Sequence, residues 1–434
     1  MSGETWHNWG RSQSATPLEV AQPADVEAVS RVVQRAATDG RTIRAVGAGH
    51  SFTAAAVADD IQLDLRYLNG VLAADPTTGL VTVGGGINLH RLNAELDTAG
   101  LSMTNLGDID VQTLAGAIST GTHGTGAKLG GIATQIRGLQ LVLADGSVVE
   151  VSATSDPELY NAARVGVGSF GVVTGVTLAC EPRFELTAVE EPMPIERVLE
   201  EFDDLVDANE HFEFYWFPHT DIALTKRNNR PTVDAPGRLP RWREWLDDEL
   251  LTNGLFEVLQ RLERRRPSAI PALNRLSAKA LSARSFTDVS HRVFVSPRRV
   301  RFREMEYAVP RENLVDVFRE LRAWIERTGT TISFPVEVRI AAADDIWLST
   351  ASGRASGYLA IHQFHRIDFE PYFRAFEAIT AEVAGRPHWG KLHWLDADAL
   401  RARYPRFDDA MTVRDRVDPN RIFSNSYTRQ IFGS

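Results

Sequence analysis

Two glycine-rich segments, each carrying a histidine, constrain this chain more than any other feature. They read VGAGHSF at 46–52 and STGTHGTG at 119–126. Glycine lets the backbone approach a ligand closely, and consecutive backbone N–H groups can cradle phosphate oxygens. Either segment alone could be a tight turn. Two such loops, each with a histidine, favour a site for a long cofactor with a pyrophosphate in its middle.

Other phosphate-binding and catalytic motifs do not fit the sequence. The segment beginning at Gly47 fails the dinucleotide pattern G-x-G-x-x-G, because position 52 is phenylalanine. A serine-nucleophile motif around Ser169 fails, because position 167 is valine. Neither H-E-x-x-H nor a G-K-S/T phosphate loop occurs. His388 and His393 would share a metal only by chance geometry, so no metal site is predicted.

Composition and charge limit the class of protein. The 434 residues are 43% apolar and 24% charged, which excludes a disordered or coiled-coil chain. A net charge of −10 argues against a nucleic-acid-binding protein. Cys180 is the only cysteine, so the chain suits a reducing compartment. The N-terminus lacks a signal-peptide pattern, and no window reaches the roughly 18 apolar residues of a membrane helix. We therefore expect a cytoplasmic protein with no integral membrane association.

The apolar pattern predicts an α+β organisation. Valines within residues 24–40 lie at helical spacing, and short strands alternate with glycine-rich loops up to residue 180. Residues 168–180 predict two strands divided at Gly175. The composition changes near Pro182, and residues 231–285 are rich in proline and arginine and then helical. For that region a helical insertion packed on its own domain is favoured over a membrane-surface helix, because its charges are mixed in sign.

Two predicted strands carry polar residues suited to chemistry. In TISFPVEVRIAA (331–342), Glu337 and Arg339 share one face, because side chains alternate along a strand. In GYLAIHQFH (357–365), His362 would converge with that pair if the two strands are neighbours. Lys391 follows in a turn-like context. A solvent-exposed salt bridge, a structural histidine and a solvated lysine are the simpler alternatives for these residues.

Six ordered motifs together resemble one protein family. GAGHSF, GDIDVQTLAGAISTGTHGTG, GSFGVVTGVTL, PVEVRI, IHQF and HWGK resemble the aldonolactone oxidase branch of the vanillyl-alcohol-oxidase-type flavoproteins, to which alditol oxidases are near relatives. The resemblance implies a two-subdomain FAD-binding domain over residues 1–182. It also implies a substrate domain on an antiparallel sheet with flanking helices over 183–410, and a C-terminal segment, 411–434, that returns to the FAD domain.

The resemblance also implies the cofactor site. His50 matches the histidine that bonds covalently to the flavin in many members, and a single covalent bond is expected. The remaining matched positions lie in the two loops and the GSFGVV segment: Gly47, Ala48, Gly49, Ser51, Thr113, Gly116, Ser119, Gly121, Thr122, His123, Gly124, Gly171 and Val172. Thr122 is also a candidate gate for oxygen.

The substrate site implied by the family contains Glu337, Arg339, His362 and Lys391. The implied reaction is hydride transfer from a carbinol C–H of a sugar-1,4-lactone to flavin N5. The implied substrates are L-gulono-, D-arabinono- and L-galactono-1,4-lactone. In that reaction a base takes the hydroxyl proton, and a cation stabilises the negative charge on the reduced flavin. Which of His362, Lys391 and Arg339 is the base stays open, as does the acceptor, oxygen or a redox protein. Alternatives are an alditol oxidase acting on polyols and a flavin-binding protein without turnover.

Overall fold

The computed structural model describes residues 5–239, 266–296 and 300–433. The first sheet has two strands, Trp6–His7 (β1) and Ser14–Ala15 (β2). A parallel sheet follows, formed by Glu19–Ala21 (β3), Ile43–Val46 (β4) and Ile61–Asp64 (β5). Its strand order is β3-β5-β4. Helix Val26–Asp39 (α1) connects β3 to β4. It begins where the Asp25 side chain accepts a hydrogen bond from the Ala28 N–H, and it ends at Gly40, whose φ is 64°. The predicted helix in this region is confirmed.

A second, antiparallel sheet follows. Its strands are Val71–Asp75 (β6), Leu80–Gly84 (β7), Ile136–Val142 (β9), Val148–Ser152 (β10) and Val172–Ala179 (β11), while Leu101–Ser102 (β8) pairs with Glu181–Pro182 (β12). The order of the five strands is β10-β9-β11-β7-β6. The helices of this region are Leu89–Thr98 (α2), Leu114–Thr120 (α3) and Pro157–Ala163 (α4).

The strand break predicted at Gly175 is wrong. β11 is continuous, and its register against β9 shifts between Val173 and Gly175, which is a β-bulge. A Cβ atom at position 175 would lie 3.1 Å from Gln140 Cβ. Glycine therefore permits close strand packing at this point and does not end the strand.

A third sheet of eight antiparallel strands dominates the rest of the chain. It contains Glu185–Pro194 (β13), His211–Trp216 (β14), Ile222–Asn229 (β15), Arg284–Val289 (β16), Phe302–Pro310 (β17), Val336–Ala341 (β18), Ser356–Phe364 (β19) and Arg386–Pro387 (β20). The order is β16-β13-β15-β14-β18-β19-β17-β20. The associated helices are Ile195–Glu200 (α5), Phe202–Asp207 (α6), Ile270–Ala280 (α7), Ser290–Phe294 (α8), Leu314–Thr328 (α9) and Glu370–Ala381 (α10). The predicted α+β class, with a large antiparallel sheet, is confirmed.

One face of this large sheet packs on helices. Alternate residues of β18, among them Val338 and Ile340, join a buried cluster with Phe318 of α9 and Phe373 of α10. β18 is shorter than the predicted 331–342 and begins directly after Pro335, which has no N–H to donate to a ladder. Because side chains alternate, the intervening residues of β18 face the opposite side.

The C-terminal helices are Ala397–Arg401 (α11), Phe407–Val417 (α12) and Ser426–Phe432 (α13). Between the last two, the chain contacts the parallel sheet: the Ile43 N–H donates to the Ile422 carbonyl at 2.7 Å. The Asn425 side chain donates to the carbonyls of Ala54 and Val57 at 2.8 and 2.9 Å.

The helical region predicted at 231–285 is described only in part. Residues 240–265 lie outside the described residues, so the choice between an insertion and a membrane-surface helix stays a prediction. Within the described ranges, no helix combines the length and apolar character needed to cross a bilayer.

Candidate active site

A cavity of about 520 Å³ lies where the two glycine-rich loops meet. Its walls come from the loop after β4, Gly85 and Gly86, the start of α3, and the segment before β11. Nine of the predicted cofactor residues line it: Gly47, Ala48, Gly49, His50, Ser51, Thr113, Gly116, Ser119 and Gly171.

Glycine is required where the first loop meets the start of α3. A Cβ atom at Gly47 would lie 2.2 Å from Thr113 Oγ1, and Gly49 has a φ of 70°, which side chains disfavour. Thr113 also caps α3, because its side chain accepts a hydrogen bond from the Gly116 N–H. The first loop therefore packs directly on the start of the helix that carries the second loop.

A second, smaller cavity of about 80 Å³ adjoins the first, and both are lined by His50, Ser51, Gln112 and Thr120. The second cavity, here called the polar chamber, brings together Glu337, Arg339, His362 and Lys391, with Thr122 and His123 from the second loop. β18 pairs with β19, which places Glu337 and Arg339 close to His362 as expected from neighbouring strands.

Three predicted cofactor residues line neither cavity. Gly121 ends α3 with a φ of 78°. A Cβ atom at Gly124 would lie 2.2 Å from the Leu106 carbonyl oxygen, so this glycine serves loop packing. Val172 is buried in the core beside the parallel sheet.

His50 stands at the boundary between the two cavities. Its ring stacks on Trp9, with centroids 5.4 Å apart and an interplanar angle of 21°. Burial, with a smaller contribution from the Lys391 charge, lowers the pKa of His50 to about 4. The imidazole is therefore neutral at cellular pH.

Arg339 is the centre of a buried ionic network. Its guanidinium contacts Glu337, and its Nε donates to a Glu213 carboxylate oxygen at 2.8 Å. An Asp108 carboxylate oxygen lies 3.7 Å from the terminal guanidinium nitrogen that contacts Glu337. Burial alone would lower the pKa of Arg339, but the carboxylates of Glu337, Glu213 and Asp108 together raise it well above its usual value. This cation does not lose its proton.

Lys391 and His362 share a single carboxylate. Lys391 forms an ion pair with Glu304, and His362 Nε2 lies 3.4 Å from the other oxygen of that side chain. Burial would raise the pKa of Glu304, but Lys391 and His362 lower it to about 2. For Lys391, burial acts in the opposite direction and would lower the pKa, but the carboxylates of Glu304 and Glu306 raise it. Lys391 is therefore a fixed cation at neutral pH.

His123 is fixed by acceptors on both sides of its ring. Its Nδ1 lies 2.8 Å from the Gly124 carbonyl and its Nε2 lies 3.1 Å from Glu306. The ring also stacks on Tyr358, with centroids 3.7 Å apart. Burial would raise the pKa of Glu306, but His123 lowers it below the ordinary range. A carbonyl and a carboxylate, both hydrogen-bond acceptors, therefore hold the orientation of this ring.

His388 completes a cluster of three side chains that could hold a metal ion, so the absence of a metal site stays a prediction. The ligand atoms of His123, Glu306 and His388 lie within 4.8 Å of one another. His388 Nδ1 also accepts from the Gly390 N–H at 3.0 Å, and His123 Nε2 lies 3.1 Å from Glu306. His393 has a different partner, the Tyr427 hydroxyl at 2.8 Å.

The sequence analysis did not predict Glu304, Glu306, Asp108 and His388 in the polar chamber, nor Glu213, which pairs with Arg339. A usable signal existed for Glu304 and Glu306, because EMEY (304–307) alternates charged and apolar side chains as VEVRI does. Met305 and Tyr307 join the apolar core, which turns Glu304 and Glu306 towards the chamber. Glu213 shows the same alternation between two phenylalanines.

Comparison with known protein families matches two regions of the chain. A family described as "D-arabinono-1,4-lactone oxidase" matches residues 176–431, and one described as "FAD binding domain" matches residues 17–152. The first match alone covers more than half of the chain.

Individual relatives cover almost the whole chain. An L-gulono-1,4-lactone dehydrogenase of Mycobacterium tuberculosis is 42% identical over 99% of both chains. An L-gulonolactone oxidase of Bos taurus is 32% identical over 99% of this chain and 98% of its own. Among solved structures, a solvent-stable cholesterol oxidase aligns with a TM-score of 0.82 and 20% identity, over 99% of this chain and 97% of its own. That structural likeness shows the fold alone.

Proposed function

The chain belongs to the D-arabinono-1,4-lactone oxidase family, and we propose on that basis that it oxidises a sugar-1,4-lactone with FAD as its cofactor. The substrates we propose are L-gulono-, D-arabinono- and L-galactono-1,4-lactone. The single observation that supports the proposal most is the adjacency of the two cavities: the polar chamber adjoins the larger cavity, here called the cofactor cavity, at His50 and Ser51.

The residues around the larger cavity fit FAD. Gly85 and Gly86 form part of its wall, and both must be glycine, because Cβ atoms there would lie 2.2 and 2.0 Å from the carbonyl oxygens of Val173 and Leu65. The glycine loop at 47–49 provides consecutive N–H groups for a pyrophosphate. When bound, FAD supplies the hydride acceptor, flavin N5.

We propose separate roles for the residues of the polar chamber. Arg339 and Lys391 are fixed cations that stabilise negative charge developing during hydride transfer, because nearby carboxylates raise the pKa of both. The base is then His362, whose Nδ1 faces the Pro335 carbonyl at 3.3 Å. In this proposal Nε2 takes the substrate hydroxyl proton, and the Glu304 carboxylate, 3.4 Å from Nε2, stabilises the imidazolium formed.

We further propose that His50 bonds covalently to the flavin. The low pKa of this histidine, about 4, supports it, because a neutral imidazole has a free nitrogen lone pair. After acid precipitation the yellow colour should stay with the protein pellet. His50→Ala should release all flavin into the supernatant, and a wild-type pellet without colour would contradict the covalent bond.

The domain limits that we propose are 1–182 for FAD, 183–410 for the substrate, and 411–434 for the returning segment. The start of the large sheet at Glu185 and the contact between Ile43 and Ile422 support them. We also propose a cytoplasmic location, which the single cysteine supports.

The experiment that tests the function combines absorbance with a substrate panel. Purified protein should show a flavin spectrum that bleaches anaerobically with L-gulono-, D-arabinono- or L-galactono-1,4-lactone. Bleaching by alditols and not by lactones would assign polyol oxidation. A protein without flavin, even after FAD is added, would contradict the FAD assignment. Turnover under air compared with turnover using cytochrome c or a dye identifies the acceptor.

A further inference from the structure

Arg44 is a buried cation at the wall of the cofactor cavity. It lies on β4, three residues before Gly47, and only 3% of its surface is exposed. Among the described residues, no carboxylate forms an ion pair with its guanidinium. The other two arginines that line this cavity, Arg66 and Arg91, each have an acidic partner, Asp64 and Glu95.

Backbone carbonyls take the hydrogen bonds of this guanidinium. Nε and one terminal nitrogen donate to the Ala55 carbonyl at 3.1 and 2.6 Å. The terminal nitrogens also donate to the carbonyls of Val167 at 2.8 Å, Gly168 at 3.2 Å and Phe423 at 2.6 Å. These five contacts match the five N–H donors of arginine. No donor is left to bind a ligand directly.

The bonded segments include an unusual piece of backbone. Val167 has a φ of 50° and Gly168 a φ of 65°, and a left-handed conformation is rare for a β-branched residue. Both residues line the cofactor cavity. Arg44 therefore holds a strained segment of the cavity wall while bringing its own charge there.

A buried charge without an ion-pair partner is unfavourable. Burial, and then the Arg414 charge, lower the pKa of Arg44 to about 10, and the Asp418 carboxylate offsets them only in part. At neutral pH the group still carries its proton. FAD bound in this cavity would add negative charge near Arg44, because the glycine loop proposed to receive the pyrophosphate begins three residues after it.

We propose that Arg44 is the built-in counter-charge for the FAD pyrophosphate, acting through space and not by hydrogen bonds. The inference rests on the FAD cofactor of the proposed function. It predicts that the positive charge at position 44 contributes to FAD affinity separately from the packing of the side chain.

Arg386 provides a matched control. It is 4% exposed and donates to the carbonyls of Arg403, Thr350 and Ser352, at 2.8, 3.2 and 2.7 Å. Among the described residues it has no ion-pair partner either. It does not line the cofactor cavity, so it shares the chemistry of Arg44 without the location.

The test measures FAD affinity in protein carrying His50→Ala, which cannot form the covalent bond. After its flavin has been removed, FAD is titrated by the quenching of its fluorescence. Arg44→Met should weaken binding by at least about tenfold, because a charge in a low-dielectric wall acts over several ångströms. Arg44→Lys should stay within about threefold of the parent, and Arg386→Met should leave affinity unchanged while lowering the unfolding temperature.

Several outcomes would overturn the proposal. They are unchanged affinity in Arg44→Met, an equal loss in Arg386→Met, and a loss in Arg44→Lys as large as in Arg44→Met. If Arg44→Met does not fold, Arg44→Gln replaces it. Failure of both to fold with FAD supplied would make Arg44 a scaffold and not a counter-charge. A parent protein that binds no FAD would instead contradict the proposed function itself.

Discussion

Lys391 keeps 23% of its side chain exposed, yet its charge is fixed by Glu304. We expect Lys391→Met to slow anaerobic flavin reduction by about 10²–10³-fold, the usual loss for one electrostatic donor in an active site. Stopped-flow absorbance measures the rate. Lys128→Met, which alters an exposed lysine, is the control and should react at the wild-type rate. A wild-type rate in Lys391→Met would contradict the electrostatic role and indicate that Lys391 is a solvated lysine.

Glu304 should make the free energy of unfolding depend on pH in the acid range. Its pKa in the folded chain is about 2, below the ordinary value near 4.5, so folding favours the ionised form. The resulting stabilisation is present above about pH 4.5 and is lost as the pH falls towards 2. Glu304→Gln should therefore cost about 3–5 kcal/mol at neutral pH, the range for breaking a buried pair, and flatten the loss of stability below pH 4.5.

Urea unfolding at several pH values measures this effect. Glu200→Gln changes an exposed carboxylate and is the matched control, with an acid profile like the wild type. An unchanged profile in Glu304→Gln would mean that the pairs with Lys391 and His362 do not stabilise the fold.

At the scale of elements, β18 separates two roles on its two faces. Glu337 and Arg339 face the polar chamber, and Ile340 belongs to the apolar core. Glu337→Gln and Arg339→Met should slow flavin reduction by substrate more than about tenfold while FAD content stays normal. The reason is that each change leaves a buried charge uncompensated, which costs more than the ~0–1 kcal/mol of a surface pair.

The opposite face of β18 supplies the comparison. Ile340→Ala should cost about 2–5 kcal/mol of unfolding free energy, as large-to-small core changes do, with little effect on the reduction rate. Normal reduction in both polar variants would remove the Glu337–Arg339 pair from the substrate site.

Polar contacts between residues far apart in the chain connect the C-terminal segment to the wall of the cofactor cavity. Asn425 caps α13 and donates to the carbonyls of Ala54, Ala55 and Val57, and Ala55 lines the cavity. Asn425→Ala should lower the free energy of unfolding by about 1–3 kcal/mol, through the lost cap and the unsatisfied carbonyls. It should also speed the release of FAD from a His50→Ala background.

Thermal unfolding and flavin release on gel filtration measure the two effects. Asn420→Ala lies in the same segment but is exposed, and it should change neither. If Asn425→Ala lost stability without losing FAD more readily, the C-terminal segment would stabilise the fold without supporting the cofactor site.

A second link crosses from the loop 121–126 to the large sheet. The Gly126 N–H donates to the Ile340 carbonyl at 3.0 Å, and His123 meets Glu306 of β17. The polar chamber is thus built from both parts of the chain. The local pattern of either part could predict its own residues but not their partners.

The sequence by itself determined the α+β class, the glycine loops, and the faces on which Glu337 and Arg339 lie. These features depend on residues that are close in the chain, because backbone conformation and side-chain alternation are local properties. The resemblance to a family added the cofactor and the substrate class. The local pattern was wrong at Gly175. It predicted a break in the strand there, whereas the strand is continuous and has a β-bulge beside this glycine.

Only the tertiary structure decided which charges meet. Glu213, Asp108 and Glu304 reach Arg339 and Lys391 through the register of separate strands and loops. Burial then makes those encounters strong, because a charge taken out of water depends on its immediate partners. The assignment of Lys391 and Arg339 as fixed cations follows from that burial. The spacing of residues along the chain does not show which charged groups will be buried together.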